Sequence, residues 1–153
     1  MKKGKMLRMS AALVATAVLV SLAVASTTGT KAIKERHEAM ERVKDSMMPF
    51  VSMAKKQKPF DAAAVQASAK AMEGDLKAAA DMFPEGSDKG DAETWAKAEI
   101  WSDHEDFKKM FQSSIEAAAG MKSVEAEADL MPALGALGNT CKSCHDKFRR
   151  PKS

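Results

Sequence analysis

Apolar residues recur at steps of three and four in four separate windows of this chain, a periodicity that restricts it to packed amphipathic helices. The clearest window is the last: Leu130, Leu134, Leu137, Cys141, Cys144 and Phe148 are spaced 4-3-4-3-4. The first runs Ile33, His37, Met40, Val43, Met47, Phe50 or Val51, Ala54. Between them lie Val65, Ala69, Met72, Leu76, Ala79, Phe83, and then Phe107, Phe111, Ile115, Ala118, Met121. Each window averages roughly 3.5 residues per step, the repeat at which helices cross at a shallow angle and interlock their side chains. The β-branched alternation of a strand is scarce. The expected fold is all-α, an antiparallel four-helix bundle.

The stretches between the windows carry matching punctuation. Lys58-Pro59 should end the first helix, because the residue before a proline is driven out of the helical region. Asp61 is placed to cap the second helix, Asp103 the third and Ser123 the fourth. Glu105 and Asp106 fall in the first turn of the third, where negative charge meets the positive end of the helix dipole. Phe83-Pro84-Glu85-Gly86-Ser87-Asp88-Lys89-Gly90 is rich in breakers and reads as the long connection. Pro49 predicts a kink in the first helix, and Pro132 a late start or a kink in the fourth.

The chain start has a different character. Lys2, Lys3, Lys5 and Arg8 precede an uncharged run from Met9 to Thr30 that is most apolar from Ala11 to Val24 and passes through Ala23-Val24-Ala25. A positive start, a short apolar core and small residues at a cut site describe a secretory signal peptide over 1–25. The apolar part is short of the about 20 residues that a membrane span needs; the alternative is an uncleaved N-terminal anchor. Cleavage after Ala25 leaves 26–153 as one domain, expected in the periplasm and free of the membrane. The chain has 24 basic and 21 acidic residues, and four of the basic ones lie in the leader. The mature chain is therefore close to neutral. Without a basic patch interleaved with aromatics, nucleic acid is excluded as a partner.

Near the C-terminus stands Cys141-Lys142-Ser143-Cys144-His145. Two thiols at this spacing can add across the vinyl groups of one haem, and the adjacent imidazole is then carried to the iron. On a helix the three positions stand at i, i+3 and i+4 and share a face. A structural zinc site needs four N/S ligands. The chain has only two cysteines and three histidines (His37, His104, His145) and no second paired cluster. A thioredoxin-like pair expects a βαβ context that is absent from the pattern. A plain disulfide would close a very small loop and constrain little. Cys141 and Cys144 also continue the apolar stripe, so a haem attached on the C-terminal helix would hang inward and complete the core.

Further motifs run along the chain: Arg36-x-x-x-Met40, Lys58-Pro59-Phe60-Asp61-Ala62-Ala63, Phe83-Pro84-Glu85-Gly86, Glu99-Ile100-Trp101-Ser102-Asp103, and the C-terminal motif extended through Phe148-Arg149. With these in place, residues 31–150 resemble the class II c-type cytochromes, the group of cytochrome c′ and cytochrome c-556. The resemblance implies one covalent haem c, with Cys141 and Cys144 as thioether points and His145 as proximal iron ligand. It implies that Arg36, and His37 beside it, approach the haem propionates, that Arg149 sits by the proximal face, and that Met40 is distal. In c-556-type members a methionine there binds iron; in cytochrome c′ members an apolar residue covers an open site.

The expected function is electron transfer by a periplasmic haem c protein whose iron is held by His145 and Met40, not catalysis by an enzyme. The alternative is a five-coordinate cytochrome c′ that binds NO or CO, with Met40 as an apolar gap-filler. A haem-free helical binding module with a Cys141–Cys144 disulfide is the remaining reading. Arg36 is expected either on a propionate or at the surface, and His37 as a hydrogen-bonded core residue in preference to a second ligand. His104 is read as exposed, and Trp95 and Trp101 as packing residues, although Trp95 departs from the family pattern. Lys142, Lys147, Arg149, Arg150 and Lys152 are read either as steering a redox partner protein or as a solvated helix end. Pairing of the first helix with its copy in a homodimer is a further possibility of the family.

Overall fold

A computed structural model describes the backbone from residue 10 to residue 151 and the side chains from residue 29 to residue 151. The expected leader, 1–25, and Lys152 lie outside the residues whose side chains are described. The elements run α1 (Ser10–Ala54), α2 (Ala62–Ala80), a short α3 (Glu99–Ser102), α4 (His104–Gly120), a 3-10 turn (Met121–Ser123) and α5 (Glu127–Phe148). The four long helices fall on the four apolar windows, and no strand is present among the described residues; Ala96 and Arg149 form an isolated antiparallel bridge.

The helix ends follow local chemistry. Lys56 takes a left-handed φ of 57°. Its N–H donates to the Met53 carbonyl at 2.9 Å, and the Gln57 N–H donates to Ser52 at 2.9 Å. This double bond pattern closes a helix with a left-handed residue just past its end, a place usually held by glycine. So α1 stops at Ala54, ahead of Lys58-Pro59. Asp61 caps α2 as expected, its carboxylate accepting the Ala64 N–H at 3.1 Å.

Two expected caps differ. Asp103 precedes α4 but makes no capping bond with its side chain; its carboxylate meets the Lys147 ammonium at 2.6 Å instead, a charge-assisted contact that outcompetes a neutral N–H. Ser123 ends the 3-10 turn, and α5 begins at Glu127 behind Ala126, which offers no capping side chain. Pro49 lies inside α1 and Pro132 inside α5, past its start.

The core gathers one stripe from each long helix. α2 supplies Val65, Ala69, Met72, Leu76 and Ala79, and α4 supplies Phe107, Phe111, Ile115 and Ala118. Leu130, Leu137, Cys144 and Phe148 come from α5. Burying each large side chain stabilises the bundle by roughly 1.5–3 kcal/mol. In α1 the buried residues include Ile33, Arg36, Ala39, Val43, Phe50 and Met53, while His37, Met40 and Met47 are half-buried. The buried stripe is thus turned slightly from the predicted one, and the residues it leaves half-covered are the ones that matter for the site.

Candidate haem site

Helix α1 packs on α2, α2 on α4 and α4 on α5, whereas α1 and α5 meet far less. The bundle is therefore a ring that closes loosely between its first and last helices. Two ion pairs show which side chains look into that seam. Arg42 bonds Asp75 of α2 at 2.7 Å and marks the α2 flank of α1. At 3.6 residues per turn, His37, Met40 and Met47 lie on the other flank, toward α5. Lys147 reaches Asp103 at 2.6 Å and Asp106 at 2.7 Å and marks the α4 flank of α5. Leu134, Cys141 and His145 lie on the opposite flank, toward α1. The fold brings Cys141 and His145 to one wall of the seam and His37 and Met40 to the other.

Cys141 is half-buried, Cys144 is buried, and both thiols are free. Burial pushes the Cys144 thiol up to about 11, with the neighbouring Cys141 and Asp106 adding to it. Burial raises Cys141 as well, against a hydrogen bond with Thr140. Thiols held neutral are poor nucleophiles toward a disulfide and poor metal ligands. His145 as a whole is exposed, yet partial burial of its ring lowers its pKa. The Arg149 cation lowers it further, and Asp146 opposes both. The imidazole is thereby kept neutral, the form that donates a lone pair to iron.

The turn of α5 that carries this motif is clamped on two sides. Lys147 ties it to the start of α4 through Asp103 and Asp106. The Lys97 ammonium donates to the carbonyls of Asp146 (3.1 Å) and Lys147 (2.9 Å), two of the acceptors a helix end leaves free. Backbone bonds join Lys97 N–H to the Phe148 carbonyl (3.0 Å) and Arg150 N–H to the Trp95 carbonyl (2.7 Å). Lys142 pairs with Asp146, and the Arg150 guanidinium donates to the Thr94 carbonyl. Among the described basic residues around the motif, Lys142, Lys147 and Arg150 are thus engaged with the protein itself.

Arg36 is 4% exposed. Its guanidinium donates to the Met82 carbonyl, the Ser87 hydroxyl and the Ser87 carbonyl, each at 3.0 Å. It lies 4.9 Å from the Phe83 ring centroid and 5.6 Å from that of Trp101. Burial lowers its pKa and Asp88 works against that. Arg36 is therefore neither at the surface nor facing the seam alone; it latches the 82–87 connection onto α1.

Four placements went beyond the sequence. His37 stacks on Trp95, centroids 4.9 Å apart and planes 26° apart. Trp95 is bracketed by His37 and the Arg149 guanidinium, 6.0 Å from its centroid. Ser87 is buried, in a turn whose Gly/Pro-rich sequence gives no burial signal. His104, expected to be exposed, is instead half-buried, because its Nδ1 lies 3.1 Å from the Ile100 carbonyl and its ring packs over Phe107. Trp101 packs as expected, with its indole N–H donating to Pro84 at 2.9 Å.

Two thiols at i, i+3 with an imidazole beside them, on the loosely packed side of a helical ring, fit a covalently held haem. A groove of about 300 Å³ between α2 and α4, floored by Phe107, Phe111 and Ile115, is lined by none of the motif residues. No three His, Cys, Asp or Glu side chains converge as a metal-binding group among the described residues.

An all-α bundle of this construction with a C-terminal Cys-x-x-Cys-His defines a class of haem proteins. A family model described as Cytochrome C′ matches residues 31–149, and the chain belongs to the cytochrome c′ family, whose cofactor is covalent haem c. A cytochrome c′ of Rhodopseudomonas palustris is 34% identical over 125 residues, 81% of this chain and 85% of its own. A cytochrome c-556 of Agrobacterium fabrum is 34% identical over 122 residues, 78% of this chain and 82% of its own. A solved nitric oxide complex of a mutant cytochrome c prime from Alcaligenes xylosoxidans superposes with a TM-score of 0.72 at 26% identity, covering 81% of this chain and 97% of that one.

Proposed function

We propose that the mature chain is a periplasmic haem c protein in which Cys141 and Cys144 form the two thioethers, His145 binds the iron, and Met40 covers an open distal side. A small neutral gas such as NO or CO is the ligand. Haem, when bound, would supply a redox-active iron whose ligands come from the protein. The chain's own residues do the rest: the clamped end of α5 orients His145, its neutral imidazole presents the lone pair, and the apolar flank of α1 excludes water.

One observation carries the open-site reading. Met40 is packed against the core cluster as a partly buried apolar residue, a seat a methionine fills through its flexible, apolar side chain. The nitric oxide complex of the Alcaligenes relative is in keeping with it. Electron transfer with Met40 as sixth ligand is the second reading, favoured by the similarity to a cytochrome c-556. Arg36 meets a propionate in this scheme only by exchanging part of its hold on Met82 and Ser87.

The visible spectrum of the exported holoprotein, oxidised and reduced, with and without CO, decides between the readings. A high-spin spectrum that shifts with CO is expected. A low-spin spectrum indifferent to CO would overturn the open site and install Met40 as a ligand. In the Met40→Ala variant the open-site reading predicts an unchanged spin state with faster CO binding, whereas loss of a ligand would convert low spin to high spin.

A further inference from the structure

Trp95 is half-buried and stands outside the core cluster, although its neighbour Ala96 and the other tryptophan, Trp101, pack against that cluster. Its indole instead bridges two elements that otherwise scarcely meet. The His37 ring of α1 stacks on it at 4.9 Å, and the Arg149 guanidinium, in the first residue beyond α5, lies 6.0 Å from its centroid. The Arg149 N–H donates to the His145 carbonyl at 3.0 Å. Resting on the haem reading proposed above, we infer that Trp95 is a positioning residue: its indole, anchored on His37, holds the Arg149 cation at the His145 end of α5 and closes that end of the seam between α1 and α5.

The physical argument is one of reach and charge. An arginine at a helix end has four side-chain torsions and, unheld, extends into water. A large aromatic face offers it a cation–π contact without removing its charge. The stack on His37 prevents the indole itself from swinging out. The backbone bridge between residues 95–97 and 148–150 needs no indole, so the side chain can be replaced while the chain path stays fixed. A cation fixed near the iron ligand disfavours the more positive oxidised iron and so raises the reduction potential. Released into solvent, the same cation is screened.

The experiment measures the midpoint potential of the purified holoprotein and of Trp95→Ala, Trp95→Phe, Arg149→Gln and the Trp95→Ala/Arg149→Gln double variant. Trp95→Ala should lower the potential, Trp95→Phe should restore most of it, and Arg149→Gln should lower it likewise. In the Arg149→Gln background Trp95→Ala should then have almost no further effect, the non-additivity expected of residues that act through one another. An unchanged potential in Trp95→Ala would overturn the inference, as would an equal shift with and without Arg149. Amide hydrogen exchange at Lys97 and Arg150 reports whether the bridge is kept; changed exchange with an unchanged potential would leave Trp95 a purely structural role and also overturn the inference. A His145→Ala holoprotein with the parent's spectrum would remove the proposed iron site, and the inference with it.

Discussion

At Cys144 burial, the neighbouring thiol and Asp106 all act in one direction, and the thiol titrates at about 11. Since the thiolate is the reacting form, the folded haem-free chain should alkylate at Cys144 about a hundredfold more slowly at pH 8 than an unperturbed cysteine does. Iodoacetamide labelling followed by mass spectrometry measures this, and a rate equal to that of the urea-unfolded chain would refute the buried seat. The attachment motif was legible from spacing alone, because three residue types at fixed intervals carry their own chemistry. Arg36 and Trp95 were not. A pattern reading treats arginine as polar and leaves it on the surface, whereas Arg36 is buried by acceptors on Ser87 and Met82 that are far from it in sequence. For the same reason the buried stripe of α1 passes through Arg36 and Ala39, and leaves Met40 and His37 on the flank.

Among the elements, the end of α1 is held by a lysine where the backbone favours glycine. A side chain in the left-handed region costs about 1–2 kcal/mol, so Lys56→Gly should raise stability by about 1 kcal/mol in chemical denaturation. It also removes an exposed ion pair with Glu127, typically no more than about 1 kcal/mol; a Glu127→Gln control separates the two effects. The long helices were readable because their apolar steps are regular, and α1, α2, α4 and α5 fall where the windows place them. The caps of α4 and α5 were missed because Asp103 serves Lys147 from another helix and Ser123 closes a tighter turn first. Glu73 links α2 to the 3-10 turn: hydrogen bonds from Lys122, then Lys77, hold its carboxyl at about 2. A carboxyl depressed below its unfolded value stabilises the fold above that unfolded value, about 4.3, and loses the contribution as pH falls through about 2. The denaturation midpoint should therefore drop between these two values, and Glu73→Gln should flatten that limb.

At the scale of the whole molecule, the loosely packed side of the ring is the side that bears the attachment motif. A haem held there by thioethers stays on the chain when it unfolds, so it stabilises the fold through the apolar surface it buries in the seam, not by mass action. The holoprotein should unfold with a free energy on the order of 3 kcal/mol or more above that of a Cys141→Ala/Cys144→Ala chain, measured in parallel urea titrations. Equal midpoints would mean that the seam is already closed by side chains. The same arrangement bears on how the chain is assembled. α1 and α5 are the long helices farthest apart in sequence, so joining them closes the longest loop in the bundle, and that entropy must be met before any contact between them is rewarded. Local helix pairs have no such delay. An expected order follows in which the local pairs α1–α2 and α4–α5 form first and the seam between α1 and α5 closes last, which leaves the α1-facing flank of α5, with Cys141, open until the final closure.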